Sequence, residues 1–235
     1  MQVAWHPSPN FTARRGQARP SLVVLHATCM ADHAAALVRL CDPASEVSAH
    51  YLIAPTGQVC ALVPEEMRAW HAGAGGWRGV GDMNSASIGI ELTNTGTQPF
   101  AAPQMLALCR LLDAIRGRWS MPPEAVIGHS DMAPGRKSDP GPRFDWRALA
   151  LAGHGLWLDP DPADPECADP AMPTLARSLT QIGYPEAAPE ARLAAFRLHY
   201  RPQAAQSAQP LPEQPADRAL AARLAQRLAA VAPQD

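Results

Sequence analysis

A basic excess is missing from this chain. Twenty Lys and Arg stand against twenty-two Asp and Glu, a formal net charge of −2, whereas a nucleic-acid surface asks for the opposite balance. Long apolar runs are missing too. No stretch approaches the roughly 20 residues of a membrane span. The N-terminal segment MQVAWHPSPNFTARRGQARP has no apolar core of the kind a secretory signal carries. The chain as it stands therefore reads as cytoplasmic, or as periplasmic if a signal has been removed. No C-x-x-C pair occurs among the five cysteines, Cys29, Cys41, Cys60, Cys109 and Cys167. The odd number and the spacing argue against a disulfide framework and a cysteine zinc site, and leave most of them as small buried hydrophobes. Internal repeats are absent. The glycine-rich GAGGWRGVG stretch around Trp77 and Arg78 lacks the spacing and the following helix of a phosphate loop, and reads as a mobile rim of a groove.

What is present is a long interleaving of strand and helix patterns. The chain has 235 residues, 47% hydrophobic, enough for one well-packed domain and a small appendage. SLVVLHA, from Ser21, reads as a buried strand, and ADHAAALVRLC as a helix with Leu37 and Leu40 on one face. HYLIAP and QVCALV are strand-like and joined by Thr56-Gly57, a hairpin signal. SIGIEL alternates: Ile88, Ile90 and Leu92 face one way, and Ser87, Gly89 and Glu91 the other. A helix starts at Pro103 with an apolar stripe of Met105, Leu108, Leu111, Leu112, Ile115 and Trp119. AVIGHS is a further strand ending at Ser130, and FDWRALALAG a final helix. This order predicts an α/β fold: a mixed central sheet flanked by helices, within a domain over 1–157. Residues 158–173, LDPDPADPECADPAMP, are acidic and proline-rich and read as a linker. Residues 174–235 carry three helical segments. Their apolar positions are Leu175, Leu179 and Ile182, then Leu193, Phe196 and Leu198, then Leu220, Leu224, Leu228 and Val231. They predict a small C-terminal three-helix domain.

The chemistry centres on histidines. His26 ends the first strand and His129 ends the Val126-Ile127-Gly128 strand, and strand ends line the rim where sites form. The loop GHSDMAPGRKSDPGP after the second of these supplies Asp131, Lys137 and Asp139, pinned by Pro134, Pro140 and Pro142. Two imidazoles and one carboxylate, with a fourth position open, is a recurring catalytic zinc arrangement. From the residues alone, Asp131 and Asp139 compete for the carboxylate place.

Several segments together resemble the N-acetylmuramoyl-L-alanine amidases of the amidase_2 group, relatives of T7-type lysozymes and peptidoglycan recognition proteins. They are VVLHAT, VSAHYLIAPTGQV, LVPEEMRAWHAGAGGWRG, MNSASIGIELTNTG and GHSDMAPGRKSDPGPRFDW. The resemblance implies one Zn²⁺ held by His26, His129 and Asp139, a catalytic glutamate at Glu91 and a catalytic lysine at Lys137. Asp131 then becomes a loop residue or one that supports a ligand from behind. An amide is a poor electrophile, which a metal can polarise. Glu91 would move the proton of the attacking water to the leaving nitrogen, and Lys137 would stabilise the oxyanion. Trp70, His71 and Asn84 are expected to line the substrate groove, Arg136 to meet a stem-peptide carboxylate, and His50 to support the core. The implied partner is peptidoglycan or a muropeptide, cleaved between N-acetylmuramic acid and L-alanine in wall turnover or recycling. The segments RSLTQIGYP and LAAFRLHYRP resemble a three-helix peptidoglycan-binding module, but AAQSAQPLPEQPA stands where its glycine-aspartate turn belongs, so the tail reads as a degenerate copy or a plain helical cap. Every catalytic position precedes the linker, so the tail is expected to be dispensable for chemistry. Two other functions on this pattern are a non-catalytic peptidoglycan-recognition protein and a zinc peptidase acting on the stem peptide. The first tends to lack part of the ligand set, and none is lacking here.

Overall fold

The computed structural model describes residues 2–16, 19–159, 161, 172–207 and 209–231. Most of the 158–173 segment, Cys167 and the Val231 side chain lie outside the described residues. The elements run β1 (Val3–Trp5), β2 (Phe11–Ala13), β3 (Leu22–Ala27), α1 (His33–Cys41), β4 (Tyr51–Ile53), β5 (Val59–Ala61), β6 (Met67–Ala69), α2 (Met83–Ala86) and β7 (Ser87–Leu92). They continue with α3 (Ala102–Trp119), β8 (Val126–Gly128), α4 (His129–Met132), α5 (Trp146–Leu151), α6 (Leu175–Ile182), α7 (Pro189–Tyr200), α8 (Pro202–Ala205) and α9 (Pro215–Val231). Six strands form one mixed sheet in the order β1-β5-β4-β7-β3-β8, and β2 pairs with β6 in a small antiparallel ribbon. The expected hairpin is the one antiparallel step of the large sheet, β4 against β5. Its turn places Gly57 at φ +87°, tight against the Pro103 carbonyl, where a side chain would not fit.

The period-2 alternation of the central strands divides the core. Val23, Leu25, Ile88, Ile90 and Leu92 face α3 and α5, packing with Leu108, Leu111, Leu112, Ile115, Phe144 and Trp146. The opposite face is covered twice. At the β4–β5 side, α1 lays Ala36 and Leu40 on Leu52, Cys60 and Leu62. At the β8 side, Val24 and Ile127 join one apolar cluster with Leu179, Ile182, Phe196 and Leu224 from the C-terminal helices. The tail is thus a layer of this sheet's own core. Its helices are tied together by Arg197, which donates to the buried Asp217 carboxylate and to the Leu211 and Pro212 carbonyls. Asp217 also accepts from Arg201 and from the Gln214 amide.

Three sequence expectations change. His129 opens the short helix α4 instead of ending β8, because its carbonyl takes the Ala133 amide in a helical turn. The glycine-rich loop is pinned: Arg78 bonds Gly183 and Ile182 of the tail, and Trp77 packs edge-on against Tyr184. Of the described cysteines only Cys60 is fully buried, Cys41 and Cys109 are half-buried, and Cys29 is exposed. All four are free thiols. Among the described residues no helix is long and apolar enough to cross a membrane.

Because sheet and tail share one cluster, they should unfold together. Phe196→Ala, at a fully buried position of that cluster, should cost about 3–5 kcal/mol. In denaturant titration the far-UV and tryptophan signals should shift by the same amount and stay coincident. Separate midpoints for the two signals would contradict the shared core.

Candidate metal centre and its cavity

The site lies where the two coverings of that sheet face part. His26 on β3 pairs in parallel register with Glu91 on β7, and Glu91 in turn with Leu52 on β4. Register neighbours project to the same face, so His26 and Glu91 stand side by side in the gap between α1 and α4. A cavity of about 260 Å³ opens there, walled by Ala36 and Arg39 on one side and by His129, Lys137 and Asp139 on the other. A larger groove of about 870 Å³ runs among the tail helices, but its lining has no histidine or cysteine.

Local turns bring the second wall together. The Gly128 amide enters α4 bonded to the Asp131 carboxylate at 2.7 Å. The chain then folds back through amide bonds from Arg136 and Lys137 to the Ala133 carbonyl. The Ser130 amide finally donates to the Asp139 carbonyl at 2.9 Å, returning Asp139 to the side of His129.

Hydrogen-bond partners assign the ring protons. Ser87 Oγ donates to the Met83 carbonyl, so its lone pairs meet His71 Nε2 at 3.4 Å and make that nitrogen the donor. His71 Nδ1 is then an acceptor and takes the proton of His26 Nε2 at 3.0 Å, which leaves His26 Nδ1 bare. His129 Nε2 lies 2.9 Å from the Ala72 carbonyl, which can only accept, so the proton sits there and His129 Nδ1 is bare as well. Arg136 Nη2 donates to the same carbonyl at 2.6 Å and, at 3.3 Å from His129 Nε2, is the longer of that nitrogen's two contacts. The bare atoms converge: His26 Nδ1 to His129 Nδ1 is 2.9 Å, and Asp139 Oδ2 is 3.2 Å and 3.0 Å from them. Three lone pairs with no proton between them repel unless a cation lies in their midst. Ligands about 2.0–2.1 Å from a tetrahedral centre are about 3.4 Å apart, close to these separations. The donor set, two nitrogens and one oxygen, is one that zinc takes, and among the described residues it is the one such cluster of His, Cys, Asp or Glu.

Electrostatics agree with neutral rings at His26 and His71. Burial, reinforced by the neighbouring His129, pushes His26 down to about 4, and burial puts His71 well below its ordinary value. Glu91 lines the cavity with one carboxylate oxygen buried and unpartnered. Burial and the Asp139 charge push its carboxyl up to about 8, against the pull of Lys137.

The remaining predicted residues separate. Trp70 and His71 line the cavity, but His71 is spent on His26 and Ser87. Its ring lies over Gly89, where a Cβ would stand 2.4 Å away. Asn84 does not reach the groove: its Oδ1 accepts the His71 and Ala72 amides at 2.9 and 2.8 Å, anchoring the turn that carries them. Arg136 sits at the Nε2 edge of His129, away from the Nδ1 that faces Asp139; its Nη2 holds the Ala72 carbonyl, and the side chain is otherwise exposed. Asp131 is fully buried beneath α4 and points away from the histidine pair. His50 is a core residue, accepting the Gly89 amide at Nδ1. Sequence reasoning passed over Arg39, Ser48 and Thr28 of the cavity wall. Of these only Arg39, on the polar side of the α1 pattern, carried a signal.

The profile of the Amidase_2 family, N-acetylmuramoyl-L-alanine amidase, matches residues 16–142. The chain is 37% identical over 222 residues to the N-acetylmuramoyl-L-alanine amidase AmiD of Escherichia coli K12, covering 81% of this chain and 79% of that one. It is 34% identical over 157 residues to the 1,6-anhydro-N-acetylmuramyl-L-alanine amidase AmpD of the same organism, covering 60% of this chain and 86% of that protein. Among solved structures it resembles E. coli AmiD in complex with anhydro-N-acetylmuramic acid-L-Ala-D-gamma-Glu-L-Lys, with TM-score 0.77, 31% identity and coverage of 93% and 98% of the two chains. It also resembles Pseudomonas aeruginosa AmpDh3 in complex with an anhydromuramic pentapeptide, with TM-score 0.76, 30% identity and coverage of 94% and 97%.

The buried His50 yields a stability prediction. Burial pushes it down to about 3, whereas an unfolded histidine titrates near 6.5. Below pH 6.5 the unfolded chain therefore takes up a proton that the native chain refuses. Stability is full above that pH and falls toward pH 3 by about 1.4 kcal/mol per unit from this residue. Urea midpoints of His50→Gln should show a shallower loss between pH 6.5 and 4 than wild type; equal slopes would remove His50 from the account.

Proposed function

Since the chain belongs to the N-acetylmuramoyl-L-alanine amidase family and is a hydrolase of that class, we propose that it cleaves the amide bond between N-acetylmuramic acid and L-alanine with one Zn²⁺ held by His26, His129 and Asp139. The observation that carries the metal is the convergence of His26 Nδ1, His129 Nδ1 and Asp139 Oδ2 within 3.2 Å of one another. The peptides bound to the two related structures support peptidoglycan fragments, anhydro-muropeptides included, as the substrate class in wall turnover and recycling. When bound, the metal supplies a Lewis acid that polarises the amide carbonyl and acidifies water. Glu91, beside His26 on the next strand, takes the proton of the attacking water and returns one to the leaving nitrogen. Its buried, unpartnered oxygen is free for that transfer. Lys137, across the cavity, offers its ammonium to the oxyanion of the tetrahedral intermediate. Trp70 supplies an aromatic wall for the substrate. The residues 1–157 carry this chemistry, and all five positions expected of an active member are filled, which disfavours a pure recognition protein. Mass spectrometry of muropeptide digests tests the reaction: release of intact stem peptide from the sugar supports the amidase, and cleavage within the stem would indicate a peptidase.

Metal analysis of the purified chain should give one zinc per molecule, and His129→Ala should lose both zinc and turnover. Stoichiometric zinc with full activity in that variant would remove the site.

Glu91→Gln should retain zinc and slow turnover by about 10²–10⁴-fold, the usual share of general acid–base catalysis. Glu91 acts deprotonated, and a nearby cation can only lower its pKa from about 8. The wild-type rate should therefore fall on the acid side of a limb at or below that pH. Glu91→Gln should erase the limb, and Lys137→Met should slow turnover and leave the limb in place. Loss of zinc from Glu91→Gln would make Glu91 a ligand.

A further inference from the structure

The tail reaches the metal loop through one buried carboxylate. Asp131 lies two residues after His129 and is fully buried. Its Oδ2 accepts the Gly128 amide and His199 Nδ1–H, each at 2.7 Å, and its Oδ1 accepts the Tyr184 hydroxyl at 2.7 Å. Tyr184 follows α6 and His199 lies on α7, so both donors come from the far side of the linker. Neither is free to swing. The His199 ring is stacked between the Trp146 indole, centroids 3.7 Å apart, and the Tyr200 ring at 4.0 Å. Tyr184 is packed against Trp77 of the glycine-rich loop. At the other end Gly128 is enclosed: a Cβ there would meet Pro140 and Trp146 at 3.1 Å and the Asp131 carboxylate at 3.3 Å. The strand-to-helix turn that delivers His129 is thus held by a carboxylate whose remaining lone pairs are fixed from the C-terminal helices.

We propose that Tyr184 and His199 are positioning residues for the metal ligand His129, acting through Asp131, so that the C-terminal helices complete the metal centre. The family match covers residues 16–142, so both donors lie outside the part of the chain it matches. Their role replaces the expectation that the tail is dispensable for chemistry. The inference rests on the zinc reading above.

The test uses the full chain and zinc itself. Zinc dissociation constants are measured by competition with a chromophoric chelator, well below each protein's melting temperature, for wild type, Tyr184→Phe, His199→Phe and His199→Asn. Tyr184→Phe and His199→Phe keep ring packing and remove one donor each. They should weaken zinc by roughly 10–100-fold, the usual range for residues that orient metal ligands, and lower kcat with little change in KM. His199→Asn, which restores an N–H donor, should recover to within a few-fold of wild type. A merely structural role predicts lower melting temperatures with wild-type zinc affinity and kcat in the folded protein, and that result overturns the inference. If a variant does not fold, wild type decides: by reciprocity, zinc should slow amide exchange in α7 around His199, and unchanged exchange there sinks the proposal. A wild-type chain that binds no zinc would fail the underlying reading, and the inference with it, whereas tight wild-type binding with unaltered variants would fail the inference alone.

Discussion

His26 Nδ1, His129 Nδ1 and Asp139 Oδ2 crowd one another at 2.9–3.2 Å with no proton to share, and much of the surrounding structure serves to keep that arrangement in place. Each bare nitrogen is bare because the opposite ring nitrogen is occupied: His26 by His71, His129 by the Ala72 carbonyl. His71 and Ala72 are consecutive, and one side chain, Asn84, receives both of their amides. A single short turn therefore sets the tautomers of both imidazoles. Gly89 beneath it lacks a side chain because the His71 ring occupies that space.

The sheet explains why the cavity is where it is. Parallel strands β3 and β7 put His26 and Glu91 at matching positions, and two separate coverings, α1 and the C-terminal helices, leave a gap above them. A carboxylate on such a strand loses water without gaining a partner, which is why Glu91 is held above the ordinary carboxylate range. Two other polar side chains show the contrast. Glu65 takes Tyr51, Arg118 and Trp119, and Arg14 spreads its guanidinium over carbonyls of Glu65, Asn84, Ser85 and Ser87. Among the described residues Glu91 Oε2 is the one buried carboxylate oxygen left without a partner, which fits a residue set by chemistry and not by packing.

Much was legible along the chain because it depends on near neighbours. The alternation of SIGIEL placed Glu91 opposite the isoleucines, and Thr56-Gly57 marked the hairpin. The stripe from Met105 to Trp119 marked the helix behind the sheet. Asn84 and Arg136 were read as groove residues because a polar side chain near a motif looks available. In the fold Asn84 Oδ1 is taken by the His71 and Ala72 amides, and Arg136 gives its Nη2 to the Ala72 carbonyl. Nothing local to either residue announces that partner.

The amino-acid order by itself determined the strand and helix sequence, the chemical types gathered at the site and the kinship of residues 16–142, since these rest on periodicity and on motifs read within short windows. Tertiary structure alone decided which nitrogen of each histidine is bare, that the C-terminal helices hold Asp131, and that the tail is a layer of the core. Those outcomes turn on contacts between residues far apart in sequence, His26 with Asp139 or Asp131 with His199, where a hydrogen-bond donor or a closed surface is supplied only once the chain has folded.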